Sequence, residues 1–256
     1  MEPIFEPSVY LLDYTGMGMI DPNWAAKKLV YTKRTRLKQS PETYGDTFLL
    51  EGDELKKELS YVANSVRSSW EFVSFTFQIC NVSRAFTHQL VRTRTCSYAQ
   101  QSQRSINMEG FDFVVPEAIR EHPEAYEDYV TAMDTINLMY GDQLSHGMSQ
   151  QNARALLPTN VATNIVMEVN LRTLADLAIK RDNLRAQGEY VDVFRGMVEK
   201  ALEVMPWIEE FLYPERTSTP ALEQILQEIR GDDCPVDNEV LNDALKELDK
   251  MKKAWG

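Results

Sequence analysis

The chain carries 256 residues, 43% hydrophobic and 26% charged, with 39 acidic against 27 basic side chains and a formal net charge of −12. That apolar content supplies one sizeable core and excludes a largely disordered chain. The acidity argues against binding duplex nucleic acid or an anionic membrane surface, yet permits a small phosphate ligand held by a local arginine cluster.

The N-terminal stretch MEPIFEPSVYLLDYTG is acidic and lacks the positive start and long apolar run of a secretory signal. No run approaches about 18 apolar residues, the length that spans a membrane. The expected location is the cytoplasm. Cys80, Cys96 and Cys234 form no CxxC pair and no metal-ligand spacing, so reduced thiols and no metal site are expected.

In chain order, SVYLLDYTG reads as a short strand ending at Gly16. DPNWAAKKLVYT reads as a helix with Asp21 as cap and Pro22 at its first position. In GDELKKELSYVANSV, Leu55, Leu59 and Val62 recur at helical spacing. EFVSFTFQICNV alternates Phe72, Ser74 and Thr76 against Val73, Phe75 and Phe77, a strand with both faces partly buried. VSRAFTHQLVRTR follows as a helix from about Arg84, with Ser83 as its cap. The next stretch, TCSYAQQSQRS, is too polar for a core helix and too poor in Gly for a simple turn.

Two helical patterns fill residues 116–156. NIVMEVN is a strand, leading into a helix entered from Asn170. GEYVDVFRGMVEKALEVMPWIEEFL is a long amphipathic helix, stopped near Pro206 and resumed. The character changes after that. The chain divides into a main domain over residues 1–215 and a helical C-terminal extension over 216–256.

Residues 86–105, FTHQLVRTRTCSYAQQSQRS, stand out. Arg92, Arg94 and Arg104 fall within 13 residues, and no Asp or Glu occurs between Arg84 and Met108. Like charges this close repel unless an anion lies between them. In a helix from Arg84, His88 and Arg92 stack one turn apart, with Gln89 three before Arg92. Ser102, Gln103 and Arg104 then offer hydroxyl, amide and guanidinium donors in a row, a cradle for phosphate. A solvated basic face or an interdomain ion pair is the alternative. KRTRLK at residues 33–38 reads likewise as a solvated loop or as a patch that steers anions.

The same segment resembles the signature of the flavin-dependent thymidylate synthases, R-H-R-x-x-S-x-N-x-x-S-x-R. Here it runs from Arg92, Thr93 and Arg94 through Ser97 to Ser102 and Arg104. Upstream, SSWEFVSFTF is similar to the family's S-x-x-E-H-x-x-F-T-F and places Ser68 and Glu71. Downstream, NARALLP is similar to the family's ARxxLP and places Arg154. VNLRTLADLAIKRDNLRAQGE places Asn170, Arg172, Asp176 and Arg181. The likeness covers roughly residues 9–215 and leaves out the extension.

The resemblance implies an α/β (α+β) fold, a mixed sheet flanked by helices. It implies an enzyme that moves a methylene from methylenetetrahydrofolate to C5 of dUMP and reduces it with a hydride carried by FAD, which NADPH recharges. It implies a homotetramer whose active sites draw on several subunits. Gln89, Arg92 and Gln100 to Arg104, the last four being Gln101, Ser102, Gln103 and Arg104, would bind dUMP, joined by Arg154 from another subunit. Ser68, Glu71, Arg92, Thr93, Arg94, Gln100, Asn170, Arg172 and Asp176 would lie along the flavin. Arg181 would meet the uracil edge, where a fixed cation favours the N3-deprotonated base and makes C5 a better nucleophile. No enzyme nucleophile is then needed, and Cys96 reads as packing.

The sequence also departs from the family. Thr93 replaces the central His of R-H-R, Ala99 the usual Asn, Val66 and Phe72 two histidines, and Ser105 a tyrosine; Asp176 stands where His or Asn is common. The phosphate side is kept and the flavin side altered. Asp176 would put negative charge beside a reduced flavin unless Arg172, four residues away on the helix, pairs with it. Three readings follow. They are a divergent thymidylate synthase, a flavin enzyme that methylates or hydroxymethylates C5 of UMP or dCMP, and a non-catalytic nucleotide binder.

Overall fold

In a computed structural model of the chain, residues 1–35, 44–65, 67–181 and 188–213 are described, without the side chains of residues 180 and 181. Position 66 and the extension over 216–256 lie outside the described residues.

A four-stranded sheet forms the centre. Its strands are β2 (Ser8–Tyr14), β3 (Ser74–Ser83), β6 (Ala162–Asn170) and β4 (Ser97–Gln100), in that spatial order. Every neighbouring pair in it is antiparallel. Parallel pairing occurs apart from it, between β1 (Pro3–Ile4) and β5 (Phe113–Val114). Both pairings expected of a mixed sheet are therefore present, but in two separate sheets.

Alternation along β3 sets the layers. Phe75, Phe77 and Ile79 are fully buried, while Ser74, Thr76 and Gln78 on the other face are half-buried. Burying each such aromatic contributes roughly 2–3 kcal/mol. Phe72 is not part of the strand; it is 54% exposed and closes a 3₁₀ turn, Arg67–Phe72. The buried face carries α3 (Gly52–Ala63), α8 (Leu171–Arg181) and α9 (Gly188–Val204), whose Leu59, Leu174 and Val193 share one core with it. Where α9 crosses β2, a Cβ on Gly196 would lie 3.1 Å from Val9 Cγ2, a close approach in which any larger residue would push the Val9 side chain aside. The opposite face stays open in the single chain. It carries a row from Tyr10 across Gln78 and Val166 to Ala99, of which Tyr10 is 55% exposed.

A register shift between Ile79 and Val82 holds Asn81 in the left-handed region, φ 61°. Past it, Ser83 caps α4 (Arg84–Leu90), its hydroxyl accepting from the Phe86 N–H at 2.9 Å. α4 ends at Leu90, so Arg92 sits in the following turn and does not stack on His88. α1 (Trp24–Thr35) also differs from expectation. Asp21 accepts from the Asn23 N–H at 2.9 Å and pairs with Lys27 at 2.7 Å, and the helix starts at Trp24 rather than Pro22. After β4 the chain builds α5 (Glu117–Arg120), α6 (Pro123–Ser145) and α7 (Gln150–Ala153) around a second, smaller core with Phe113, Met133 and Tyr140. After α9, Pro206 opens a 3₁₀ turn and α10 (Glu209–Leu212) resumes. The short α2 (Tyr44–Phe48) packs beside α1. No helix among the described residues is long and apolar enough to cross a membrane.

Candidate active site

The polar stretch after α4 becomes β4, an edge strand paired to β6 from Ser97↔Glu168 to Gln100↔Ile165. β6 runs into α8, so the Ser97 end of β4 faces the start of α8 and the Gln100 end points away from it. At about 3.4 Å per residue the two ends lie roughly 10 Å apart. The arginine segment is thus split between two ends of one strand.

At the far end, residues 102–105 fold back on themselves. The Arg104 N–H donates to Ser102 Oγ at 3.2 Å, and Ser102 and Ser105 hydroxyls meet at 3.4 Å. Ser102 and Arg104 are exposed, Gln101 and Gln103 half-buried. Arg104 borders a hollow of about 530 Å³ with Leu144, Met148, Ser149, Gln150 and Gln151. Arg84, which the sequence reading passed over, donates from Nη1 to the Gln101 carbonyl at 3.3 Å. Burial, and after it the nearby Arg154 guanidinium, hold Arg84 below the usual arginine range. Arg154 is exposed on the 3₁₀ turn that follows α7. Arg84 and Arg154 of one chain therefore lie close enough to disfavour each other's charge. Arg84 was visible in the sequence only as one more cation before the acid-free run.

At the near end, residues 91–96 turn back toward α8. The Tyr98 hydroxyl reaches the carbonyls of Leu90 at 2.9 Å and Thr93 at 3.0 Å and ties this turn to α4. Thr95 and Thr173 join their hydroxyls at 3.1 Å, linking the turn to α8. Asn170 caps α8, accepting from the Thr173 N–H at 2.9 Å. Gln100 directs its amide back to Thr87 Oγ1 at 2.7 Å. Gln89, Arg92 and Arg94 are exposed, and Thr93 is half-buried. Burial pushes the Cys96 thiol up, which keeps it protonated and unfit as a nucleophile.

α8 faces the 3₁₀ turn across two ion pairs. Glu71 accepts from Arg172 at 2.6 Å, and Asp176 accepts from Arg67 at 2.8 Å. The expected Arg172–Asp176 pairing is not formed. Both residues are turned outward to partners on the neighbouring element instead. Ser68 sits exposed on that turn. Among the described residues, by contrast, Arg92, Arg94, Arg104 and Arg154 make no ion pair. Arg181 is the last residue of α8, and its side chain lies outside the described residues. Lys33 and Arg34, from the second basic run, both pair with Glu58, at 2.8 and 2.7 Å; residues 36–38 of that run lie outside the described residues.

One more residue escaped the sequence reading. Glu189, in the first turn of α9, accepts from the Ser83 N–H at 2.5 Å and the Ser83 hydroxyl at 2.7 Å. It fastens the start of α4, and burial raises its carboxyl above the usual range.

Fold and site together place Arg92, Arg94, Arg104 and Arg154, which make no ion pair among the described residues, around the edge strand of an antiparallel sheet. Comparison with known proteins gives the class. A family model described as Thymidylate synthase complementing protein matches residues 11–207. The flavin-dependent thymidylate synthase of Pyrococcus abyssi is 36% identical over 197 residues, covering 75% of this chain and 78% of the relative. That of Nitratidesulfovibrio vulgaris is 36% identical over 171 residues, 62% of this chain and 70% of the relative. The chain therefore belongs to the flavin-dependent thymidylate synthases, a family of flavin-using methyltransferases. Its fold is shared with a solved structure, the UMP/dUMP methylase PolB from Streptomyces cacaoi bound with 5-Br dUMP. The TM-score is 0.69 at 20% identity, over 84% of this chain and 97% of that one.

Proposed function

We propose that this enzyme methylates dUMP at C5 to give dTMP, with methylenetetrahydrofolate as carbon donor, FAD as flavin and NADPH as reductant. The observation that carries the reading is that Arg92, Arg94, Arg104 and Arg154 make no ion pair among the described residues, in a chain of net charge −12. Guanidinia left without carboxylates are fit to receive a ligand's anionic groups.

The donor set fits two phosphate-bearing ligands. Arg104, with Ser102, Gln101, Gln103 and Arg84 nearby, would take the nucleotide phosphate, joined by Arg154 contributed from another subunit. Arg92 and Arg94, at the other end of β4, would face the flavin diphosphate, with Arg92 and Gln89 also reaching the nucleotide. Ser68, Glu71, Thr93, Gln100, Asn170, Arg172 and Asp176 would line the flavin. Bound flavin supplies the hydride. Arg181 would hold the uracil N3 deprotonated and so raise the carbon nucleophilicity of C5. The catalytic unit would span residues 1–215, with 216–256 appended. The uncovered sheet face at Tyr10 and the separation of the two arginine groups support sites completed by neighbouring subunits of a homotetramer.

A second reading keeps the chemistry and changes the base-bearing substrate to UMP or dCMP; the name of the structurally similar UMP/dUMP methylase favours including UMP. Product mass decides between them. The protein is incubated with FAD, NADPH and methylenetetrahydrofolate at low oxygen, with dUMP, UMP and dCMP offered together. A methyl group gained on dUMP alone is expected. Gain on another nucleotide would move the second reading ahead, and no gain on any would overturn both.

A further inference from the structure

Two ion pairs join the 3₁₀ turn to α8, and their order is crossed in charge. Arg67 and Glu71 lie four apart on the turn, Arg172 and Asp176 four apart on the helix, and the contacts run Arg67–Asp176 and Glu71–Arg172. The four charges cancel. Arg67 has a further contact. Its guanidinium carbon lies 4.4 Å from the Trp70 ring centre. Trp70 is itself buried, donates its indole N–H to the Val62 carbonyl at 3.2 Å, and packs on Phe211 at 5.0 Å. Arg67 Nε is buried and has no hydrogen-bond partner among the described residues, so the ring and Asp176 alone fix the group.

We infer that Arg67 is a positioning residue for the flavin side of the site, neutralising Asp176 and holding its carboxylate against the 3₁₀ turn. The inference rests on the reading above that Glu71, Arg172 and Asp176 line the flavin. Both members of the Arg67–Asp176 pair are more than a third exposed, 37% and 39%, so the pair adds little to stability and its value lies in where it holds charge. A flavin gains electrons and negative charge when reduced. A lone carboxylate beside it would oppose that gain, and a carboxylate already engaged by a cation opposes it far less. Asp176 is tolerable at this position because Arg67 is there. The pair acts as one unit, so single and double substitutions should not add.

The test is a substitution cycle on the full chain, read by FAD binding rather than turnover. Wild type, R67M, D176N and R67M/D176N are titrated with oxidised FAD by fluorescence and with reduced FAD under anaerobic conditions, after melting curves confirm that each folds. R67K serves as the conservative variant. R67M is expected to bind reduced FAD at least fivefold more weakly than wild type, with a smaller loss for the oxidised form. The double variant should return to within twofold of wild type, D176N should bind reduced FAD at least as tightly as wild type, and R67K should recover most of the loss. If R67M lowers the melting temperature and leaves both affinities unchanged, the pair is only structural and the inference falls. A double variant as weak as R67M would overturn it too, by making Arg67 itself the contact. Wild-type protein that binds no FAD would defeat the underlying reading, and the inference with it.

Discussion

Two faces of this molecule treat arginine in opposite ways. Around the edge strand β4, Arg92, Arg94, Arg104 and Arg154 make no ion pair among the described residues, and burial and the Arg154 charge both disfavour the charge on Arg84. Across the 3₁₀ turn and α8, Arg67 and Arg172 are each bound to a carboxylate at 2.8 Å or less. The first arrangement is unfavourable in the chain alone and becomes favourable when an anion arrives. The second is complete as it stands. On the proposed reading, charge left unpaired among the described residues is where ligand phosphates would sit, and charge already cancelled leaves a surface that offers shape and hydrogen bonds.

The largest effect is expected at Arg181, which ends the helix paired to the 3₁₀ turn but is proposed to meet the base. Arg181→Ala is expected to cut turnover by at least about 100-fold, the scale of one lost transition-state interaction. Gel filtration should show an unchanged oligomer, and undiminished turnover would remove Arg181 from the chemistry. Next comes Arg104→Ala. Losing a charge-assisted hydrogen bond of roughly 1.5–3 kcal/mol should weaken dUMP binding about 10- to 100-fold, while FAD affinity stays within about twofold. Equal losses of both would erase the distinction between the two ends of β4.

Glu189 sharpens the comparison from the supporting side, because it anchors the helix that leads into the unpaired arginines. Glu189→Ala strands the Ser83 N–H and hydroxyl and should cost about 1–3 kcal/mol, read by chemical denaturation. The pH dependence has a definite sign. Its folded pKa is raised by burial, so its contribution to stability is full below the unfolded carboxylate value and is lost as pH rises through the folded one. Glu189→Gln, which cannot ionise, should flatten that fall in a series of melting curves. The smallest effect belongs to a paired cation site away from both faces. Glu58→Gln keeps an acceptor but removes the charge that Lys33 and Arg34 share, and should cost about 1–2 kcal/mol. A large loss of nucleotide binding there would mean that the second basic run is a ligand site after all.

Much of this was legible in the sequence, for local reasons. Ser83 capping α4, the alternation of Phe75 and Phe77, Asn170 opening α8 and the stop at Pro206 each depend on residues within a few positions of one another. The signature from Arg92 to Arg104 could be read because its residue types and spacing are distinctive. What escaped depends on distant partners. β4 has too little apolar alternation to announce a strand and becomes one only by pairing with β6. Glu189 meets Ser83 across 106 positions, and Arg67 meets Asp176 across 109. The sequence offered Arg172 as the nearer partner for Asp176. The fold instead brings the 3₁₀ turn alongside α8 and gives each residue a partner there.

The arginines that make no ion pair among the described residues are proposed to take a nucleotide phosphate. The most direct measurement compares dUMP with deoxyuridine, which lacks the phosphate, binding to wild type and to Arg104→Ala by calorimetry. The account predicts that wild type prefers dUMP strongly and that the substitution removes most of that preference while deoxyuridine binding stays the same. An undiminished preference for dUMP in the variant would contradict it.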